Sequence, residues 1–269
     1  MKLLVDIGNS RVKWSLLDEK GLQPGDFFIK GKTGIKAGLT KAWKSFTPPT
    51  EILVSNVAGD KIAQQLCEWT EKTWQITPVF IQSEKKRFGV LNAYEQPETL
   101  GVDRWLNLVA ARQHTRQPVC IIDCGTAITV DIVTEKGQHQ GGMILPGLAM
   151  MRQTLAAHTD ALTEQVDSSE FNLLATNTFS AIQVGTLYSV TATLDNIISD
   201  LKHSFKDNIR FVLTGGDAET LLELLPEGME ADPQLVFKGI RLYAKQGQTA
   251  LKQLSAEQTD SDTSESAEA

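Results

Sequence analysis

The order of apolar and polar residues repeats once along this chain. Leu4 to Ser10 is an apolar run followed by Asp-x-Gly-[Asn/Thr]-[Ser/Ala], and Ile121 to Ala127 repeats that pattern. A second apolar stretch follows each copy, over Val12 to Leu17 and over Ile128 to Val133. Two strand-like stretches around a short turn that contains glycine predict a β-hairpin. The chain is therefore predicted to consist of two similar halves, each opened by a hairpin.

Strand-like and helix-like segments alternate after each hairpin. Asp60, for example, is predicted to be the N-cap of a helix that carries Ile62, Leu66 and Trp69 on one face. Alternating strands and helices in a duplicated chain predict an α/β protein. The other predicted elements are strands at Glu51–Val57, Val79–Ile81, Val119–Cys124, Ile209–Leu213 and Leu235–Phe237 and helices at Lys41–Phe46, Leu100–Gln113, Ala181–Leu201, Ala218–Leu225 and Lys238–Gln253.

The composition is that of an ordinary globular protein with an acidic tail. Of 269 residues, 41% are apolar and 22% are charged, and no apolar stretch is long enough to cross a bilayer. Five acids and no base follow Ser255, so the rest of the chain has 28 acids against 26 bases. This near-neutral body predicts neither nucleic acid nor membrane as a partner. The predicted domains span 1–117 and 118–253, and the tail at 254–269 is predicted to be disordered.

Cysteines, histidines and nucleotide motifs exclude several classes of site. The three cysteines form no disulfide framework, which fits a reducing cytoplasm, and the four scattered histidines predict no zinc site. Cys120 and Cys124 are predicted to be core or loop residues. The chain has neither Gly-x-x-x-x-Gly-Lys-[Ser/Thr] nor Gly-x-Gly-x-x-Gly, so a Walker or Rossmann nucleotide site has no support.

The two Asp-x-Gly turns are candidates for phosphate binding. Glycine has no Cβ, so a phosphate can approach its backbone closely, and a neighbouring Asp can hold a hydrated cation. Asn9, Ser10 and Thr126 can donate hydrogen bonds to phosphate oxygens, and Lys13 lies just beyond the first turn. Two ordinary turns in a duplicated scaffold are the alternative. The repetition favours two halves that grip one nucleotide.

Three other segments each allow a structural and a functional interpretation. Asp103 in Gly101-Val102-Asp103-Arg104 is either a helix cap, which the spacing favours, or a general base beside an Arg104 that clamps a carboxylate. Gly141 to Gly147 is either a rigid turn that feeds a helix or a floor under a substrate. Thr214 to Asp217 is either a contact to base and ribose or an ordinary junction between strand and helix.

Four motifs, in order and spacing, resemble those of the type III pantothenate kinases, also called Bvg accessory factor-like proteins. The resemblance reaches from the N-terminus to about residue 250. It implies the actin/Hsp70/sugar-kinase superfamily and two duplicated ribonuclease-H-like domains. The first motif of the family usually ends in Thr, and here Ser10 keeps the hydroxyl. The motifs are Asp6-Ile7-Gly8-Asn9-Ser10, Tyr94-x-x-Pro97-x-x-Leu100-Gly101-Val102-Asp103-Arg104, Asp123-Cys124-Gly125-Thr126-Ala127 and Gly141-Gly142-Met143-Ile144-x-Pro146-Gly147.

The resemblance also implies an activity and a role for each motif residue. The activity is ATP-dependent phosphorylation of pantothenate to 4'-phosphopantothenate, the first step toward coenzyme A, with Mg²⁺ and either K⁺ or NH₄⁺, in a homodimer. Asp103 corresponds to the proton acceptor for the substrate hydroxyl, and Asp123 to the ligand of the monovalent cation. The implied ATP-binding residues are Asp6, Ile7, Gly8, Asn9, Ser10, Arg11, Val12, Lys13 and Thr126, and the implied pantothenate-binding residues are Tyr94, Gly101, Val102, Asp103, Arg104 and Thr178.

Two alternatives stay open at the level of sequence. One is a kinase of another small hydroxyl compound, because a fold does not fix its substrate. The other is a non-catalytic regulatory protein, which the accessory-factor name suggests for some relatives. By the resemblance, the set Tyr94, Gly101–Arg104 and Thr178 favours pantothenate, because sugar kinases of the superfamily are not expected to carry it.

Overall fold

The computed structural model describes residues 1–157 and 173–245. The predicted disordered tail at 254–269 lies outside the described residues, as does the last part of the predicted C-terminal helix. The contacts divide the chain into two compact units that interleave along the sequence. Unit 1 comprises Met1–Ser83, Gly101–Leu106 and the chain from Val236, and unit 2 comprises Glu84–Leu100 and Asn107–Leu235. The domain boundary predicted between residues 117 and 118 stays a prediction.

The strands and helices of the described residues follow in chain order. The strands are β1 (Lys2–Ile7), β2 (Arg11–Asp18), β3 (Gly21–Leu22), β4 (Asp26–Ile29), β5 (Glu51–Asn56), β6 (Val79–Phe80), β7 (Lys86–Arg87), β8 (Val90–Leu91), β9 (Val119–Cys124), β10 (Ala127–Val133), β11 (His139–Pro146), β12 (Arg210–Thr214) and β13 (Glu230–Ala231). The helices are α1 (Lys36–Trp43), α2 (Asp60–Trp74), α3 (Val102–His114), α4 (Leu148–Ala157), α5 (Thr178–Ser204), α6 (Ala218–Leu222) and α7 (235–245), with a 3₁₀ turn at Pro97–Thr99.

The sheets of the two units have the same connectivity. In unit 1 the order is β3-β2-β1-β5-β6, and β4 also pairs with β2, so β3 and β4 together occupy the third-strand position. In unit 2 the order is β11-β10-β9-β12-β13. In unit 1, β1 is antiparallel to β2 and parallel to β5. In unit 2, β9 is likewise antiparallel to β10 and parallel to β12. The two predicted hairpins and the duplicated mixed α/β fold are therefore confirmed.

Apolar side chains cover both faces of the sheet in unit 1. Leu3, Val5 and Ile7 of β1 pack with α1 and α2 in a core rich in tryptophan, where the ring centroids of Trp43 and Trp14 lie 5.8 Å apart. Leu4, on the opposite face, packs with the start of α3 and with α7. Successive side chains of a strand point to opposite faces, so Asp6 shares the face of Leu4. The sheet thus separates Asp6 from the tryptophan core.

Unit 2 repeats this alternation on β9. Cys120, Ile122 and Cys124 pack with α4, α5 and α6 in one apolar core. Ile121 and Asp123 therefore point to the other face of the sheet. Both cysteines are buried and free, which confirms their prediction as core residues. Burial raises the pKa of the Cys124 thiol to about 12, with smaller contributions from Asp123 and Asp217. Cys124 is therefore a protonated core residue near neutral pH.

Three sequence-based predictions about elements were wrong. The interpretation of Gly141 to Gly147 as a rigid turn was wrong, because Gly141 to Pro146 belongs to the edge strand β11, paired with β10, and only Gly147 forms the turn into α4. The other interpretation, a floor under a substrate, stays a prediction. The apolar run at 235–237 is the first turn of α7 rather than a strand, and it packs through Val236 and Phe237. The N-cap of α2 is Gly59, and Asp60 is the first helical residue. Within the described part of the chain, no helix is long and apolar enough to span a membrane.

Candidate active site

The first Asp-x-Gly turn closes the hairpin of unit 1. The Gly8 amide donates to the Arg11 carbonyl oxygen at 3.0 Å, and the exposed side chains of Asn9 and Ser10 lie between them. Asp6 is 8% exposed, and one of its carboxylate oxygens accepts a hydrogen bond of 2.9 Å from the fully buried hydroxyl of Ser55. The turn thus exposes polar side chains to solvent, next to a carboxylate that the buried Ser55 hydroxyl holds in place.

The second turn repeats this geometry in unit 2. The Gly125 amide donates to the Ala127 carbonyl oxygen at 3.1 Å. Asp123 lies in register with Thr214 of β12, as Asp6 lies in register with Ser55 of β5. The carboxylate Oδ2 of Asp123 accepts a hydrogen bond of 3.1 Å from the side-chain amide of Asn107, on α3. Each turn therefore has a carboxylate held by a neighbouring polar side chain.

The fold itself does not require glycine at the two turns. A Cβ on Gly8 would lie 3.6 Å from the Arg11 carbonyl oxygen, and one on Gly125 would lie 3.5 Å from its nearest atoms, which is ordinary contact. Neither glycine has a positive φ angle. A Cβ on Gly147, in contrast, would overlap the carbonyl oxygens of Gly125 and Thr126. Gly8 and Gly125 therefore leave room beside the backbone for a methyl-sized group, which the fold itself does not fill.

Gly215 supports the structural interpretation of Thr214 to Asp217, in which the segment is a junction between strand and helix. Its φ angle is +95°, and a Cβ there would lie 2.5 Å from backbone atoms of Cys124 and 2.6 Å from Oδ1 of Asp123. The Asp217 amide donates to the Cys124 carbonyl oxygen at 3.0 Å. The segment Thr214 to Asp217 therefore packs tightly against the end of β9, and its glycine supports the second turn.

The segment Gly101 to Arg104 forms the start of α3 in unit 1. Asp103 is the second residue of α3 rather than its N-cap, and one of its carboxylate oxygens accepts a hydrogen bond of 2.8 Å from the Arg104 amide. Arg104 is only 6% exposed. A Cβ on Gly101 would lie 2.7 Å from that same Asp103 oxygen. Glycine at position 101 thus leaves room for the Asp103 carboxylate.

Tyr94 and Thr178 both belong to unit 2. The ring of Tyr94 stacks on the ring of His139 with centroids 6.1 Å apart and an interplanar angle of 13°. His139 is buried and its Nε2 lies 3.0 Å from Oδ1 of Asp131, so the support for Tyr94 is itself anchored. Thr178 is an exposed first residue of α5, whose N-cap Asn177 accepts from the Ser180 amide at 2.8 Å.

The candidate residues fall into two sets, one in each unit. Unit 1 holds the first turn, Asp6 to Lys13, together with Gly101 to Arg104. Unit 2 holds the others, Tyr94, Asp123, Thr126 and Thr178. No group of three or more His, Cys, Asp or Glu residues that could hold a metal ion occurs among residues 1–157 and 173–245.

Sequence reasoning missed Ser55, Asn107 and the pair His139–Asp131. Ser55 is a polar residue inside an apolar strand, and Asn107 lies in a helix whose neighbouring residues Leu106 and Leu108 are fully buried. A buried polar residue needs a hydrogen-bond partner, so both positions carried a signal. The partner could not be found without the fold, because 49 residues separate Ser55 from Asp6 and 16 separate Asn107 from Asp123.

Comparison with known proteins places the chain among kinases. The family model described as type III pantothenate kinase matches residues 2–200. A type III pantothenate kinase from Nitrosococcus oceani is 47% identical over 252 residues, which are 91% of this chain and 94% of that protein. Another from Nitrosomonas eutropha is 32% identical over 251 residues, 91% of this chain and 95% of that protein.

Solved structures share the fold at lower identity. A Baf-family protein from Campylobacter jejuni has a TM-score of 0.55 at 24% identity, covering 92% of this chain and 99% of that chain. A protein from Sinorhizobium meliloti, named as a 2-dehydro-3-deoxygalactonokinase, has a TM-score of 0.51 at 17% identity and covers 91% and 98%. Both comparisons agree with the sugar-kinase-like fold that the sequence predicted.

The turn glycines predict a contrast in stability. Gly147→Ala would force a Cβ against backbone oxygens, so we expect it to lower the free energy of unfolding by about 1–3 kcal/mol. Gly8→Ala and Gly125→Ala should stay within about 1 kcal/mol of the parent protein. Urea unfolding followed by tryptophan fluorescence and circular dichroism measures all three. Equal destabilisation by all three substitutions would show that the fold does need glycine in the turns.

Proposed function

This chain belongs to the type III pantothenate kinase family, and from that membership we propose which of its residues carry out the reaction. The protein is a phosphotransferase that uses ATP to phosphorylate pantothenate to 4'-phosphopantothenate, the first step of coenzyme A biosynthesis. The family match over residues 2–200 is the observation that carries this function. The roles of individual residues, the monovalent cation, the dimer and the cytoplasmic location are our proposals.

The segment Asp6 to Lys13 and Thr126 bind the phosphates of ATP. Support comes from the exposed Asn9 and Ser10 in the first turn and from the two glycines that the fold does not require. Phosphoryl transfer needs mainly alignment and neutralisation of charge, which Mg²⁺ supplies on the triphosphate. Backbone amides and short polar side chains hold phosphate oxygens without adding bulk. The Arg11 guanidinium packs over the Phe27 ring, 4.9 Å from its centroid, which anchors the second strand beside the turn.

Asp103 accepts the proton of the substrate hydroxyl, and Arg104 binds the carboxylate of pantothenate. A guanidinium forms bidentate, charge-assisted hydrogen bonds to a carboxylate, and burial of Arg104 strengthens such bonds. The hydrogen bond from the Arg104 amide orients the Asp103 carboxylate, so its position in the first turn of α3 is compatible with a catalytic role. Tyr94, Gly101, Val102 and Thr178 complete the pantothenate-binding set.

Asp123 binds a monovalent cation, K⁺ or NH₄⁺. The residues fit such an ion because a single carboxylate balances one positive charge. The described residues hold no cluster of three or more acidic, His or Cys side chains such as a tightly held divalent ion would use. The cation supplies further positive charge during phosphoryl transfer. The three free cysteines fit a reducing cytoplasm as the site of this reaction.

The protein forms a homodimer through an uncharged face of unit 2. We define the uncharged face as β11, α4 and the first half of α5. Residues 173–194 contain no charged side chain, and residues 141–157 contain only Arg152, whose pKa is lowered chiefly by burial. Large apolar side chains are nevertheless exposed on this face. They are Met143, Met150, Leu155 and Tyr188. Interface cores are typically depleted of charged residues and enriched in Met and Tyr. We propose a second copy of the chain as the partner of this face.

The substrate is tested directly by a coupled ATPase assay of the purified protein. We expect pantothenate to stimulate ADP release in the presence of Mg²⁺ and K⁺, and a panel of sugars and small polyols to leave it at background. Stimulation by a sugar, with no response to pantothenate, would replace this function by that of another kinase in the superfamily.

The role of Asp103 is tested by Asp103→Asn. We expect turnover to fall by roughly 10²–10⁴-fold while ATP still binds, because the amide cannot accept the proton. Asp60→Asn, which changes an exposed acid in the first turn of another helix of unit 1, is the matched control and should keep normal turnover. Near-normal turnover of Asp103→Asn would remove Asp103 from the mechanism.

The cation is tested by exchange of salts at constant ionic strength. We expect activity to vanish in NaCl alone and to return with KCl or NH₄Cl, because Asp123 binds the larger monovalent ions. Equal activity in all three salts would contradict the assignment of Asp123.

The dimer is tested by the mass of the protein in solution. We expect light scattering to give twice the chain mass of 29.6 kDa, and Tyr188→Glu to give a monomer because it buries a charge in the interface. Leu224→Glu is the control, since Leu224 is an exposed apolar residue of unit 2 outside the uncharged face. A monomeric parent protein, or an unchanged mass for Tyr188→Glu, would contradict this interface.

A further inference from the structure

Asn107 has an unusual environment for a helical residue. Its side chain is only 2% exposed, and its Nδ2 donates to Oδ2 of Asp123 at 3.1 Å. Its Oδ1 is buried and has no hydrogen-bond partner. A buried acceptor without a partner costs about 1–3 kcal/mol, so such atoms are rare in native structures.

The hydrogen bond to Asp123 fixes which way the amide of Asn107 points. A carboxylate only accepts hydrogen bonds, so the NH₂ group must face Asp123 and the oxygen must face away. Rotation of the amide by 180° would put two acceptors together and would not relieve the unpaired oxygen. Both atoms belong to one planar amide, so an ion bound to Oδ1 lies beside the NH₂ group that holds Asp123. The oxygen is therefore held in place without a donor.

A cation would satisfy this oxygen, to which no group of the described residues donates. Amide and carboxylate oxygens are the usual ligands of hard cations. The neutral amide adds a ligand without adding charge, so Asn107 and Asp123 together carry one negative charge, which suits a monovalent ion. A bound water could also donate to Oδ1, and the experiment below separates the two.

We propose that Oδ1 of Asn107 is a direct ligand of the monovalent cation, and that Nδ2 of Asn107 positions the carboxylate of Asp123 for the same ion. The proposal rests on the assignment of Asp123 to that cation. It adds a residue of α3 to the site and gives its buried polar side chain a function. Loss of a residue that holds a metal ligand in place typically weakens metal binding 10–100-fold.

Asn107→Leu tests the proposal, because leucine has a similar volume and offers neither oxygen nor NH₂. We expect the KCl concentration for half-maximal activity to rise at least about tenfold. We also expect the increase in melting temperature that KCl gives over choline chloride to disappear, since a ligand stabilises only the state that binds it. Thr70→Val, an equally buried change in α2, is the control and should keep both responses.

The outcomes separate this proposal from the proposed function. Normal responses to KCl in Asn107→Leu would overturn the role of Asn107 and leave the kinase and Asp123 in place. A parent protein with no response to KCl would overturn the cation assignment and this proposal together.

Crystals of the parent protein grown with thallium(I) acetate give an answer even if Asn107→Leu does not fold. We expect an anomalous peak in contact with both Oδ1 of Asn107 and the Asp123 carboxylate. A peak that touches Asp123 alone, or a water molecule on Oδ1, would refute the proposal.

Discussion

Each sheet depends on the backbone hydrogen bonds that pair its first strand with two different neighbours. β1 is antiparallel to β2 and parallel to β5, and β9 is antiparallel to β10 and parallel to β12. The register of the two parallel pairs places Asp6 beside Ser55 and Asp123 beside Thr214. A slip of one residue would turn the Asp side chain into the apolar core on the other face of the sheet. The tryptophan core of unit 1 and the apolar core of unit 2 therefore fix the direction in which each carboxylate points.

The same register brings the backbone to a glycine turn directly after each carboxylate. The glycines in these turns differ from the glycines of other segments that pack against the second turn. Gly147 and Gly215 are demanded by close backbone packing, whereas Gly8 and Gly125 meet only ordinary contacts. Glycine costs conformational entropy on folding, so its presence where the fold does not need it calls for a different reason. We propose that close approach of a phosphate to the backbone is that reason.

Local pattern predicted the hairpins, the duplication and most helices, because hairpins and amphipathic faces involve residues close in sequence. It was wrong where tertiary packing outweighed local preference. Gly141 and Gly142 suggest a turn, but pairing with β10 and an edge position allow them in a strand. Leu235 to Phe237 has a strand-like composition, but Val236, Ile240 and Ala244 form the buried face of a helix. Long-range contacts such as that of Asn107 with Asp123 could not be predicted from one sequence.

The central claim is that the glycines of the two turns are kept for the phosphates of ATP. Isothermal titration of ATP with Mg²⁺ into Gly8→Ala and Gly125→Ala tests it most directly. The account predicts that each variant keeps its unfolding midpoint and loses at least about tenfold in ATP affinity, or about 1.4 kcal/mol, because the added methyl occupies space needed by phosphate. Unchanged ATP affinity in both stable variants would contradict it.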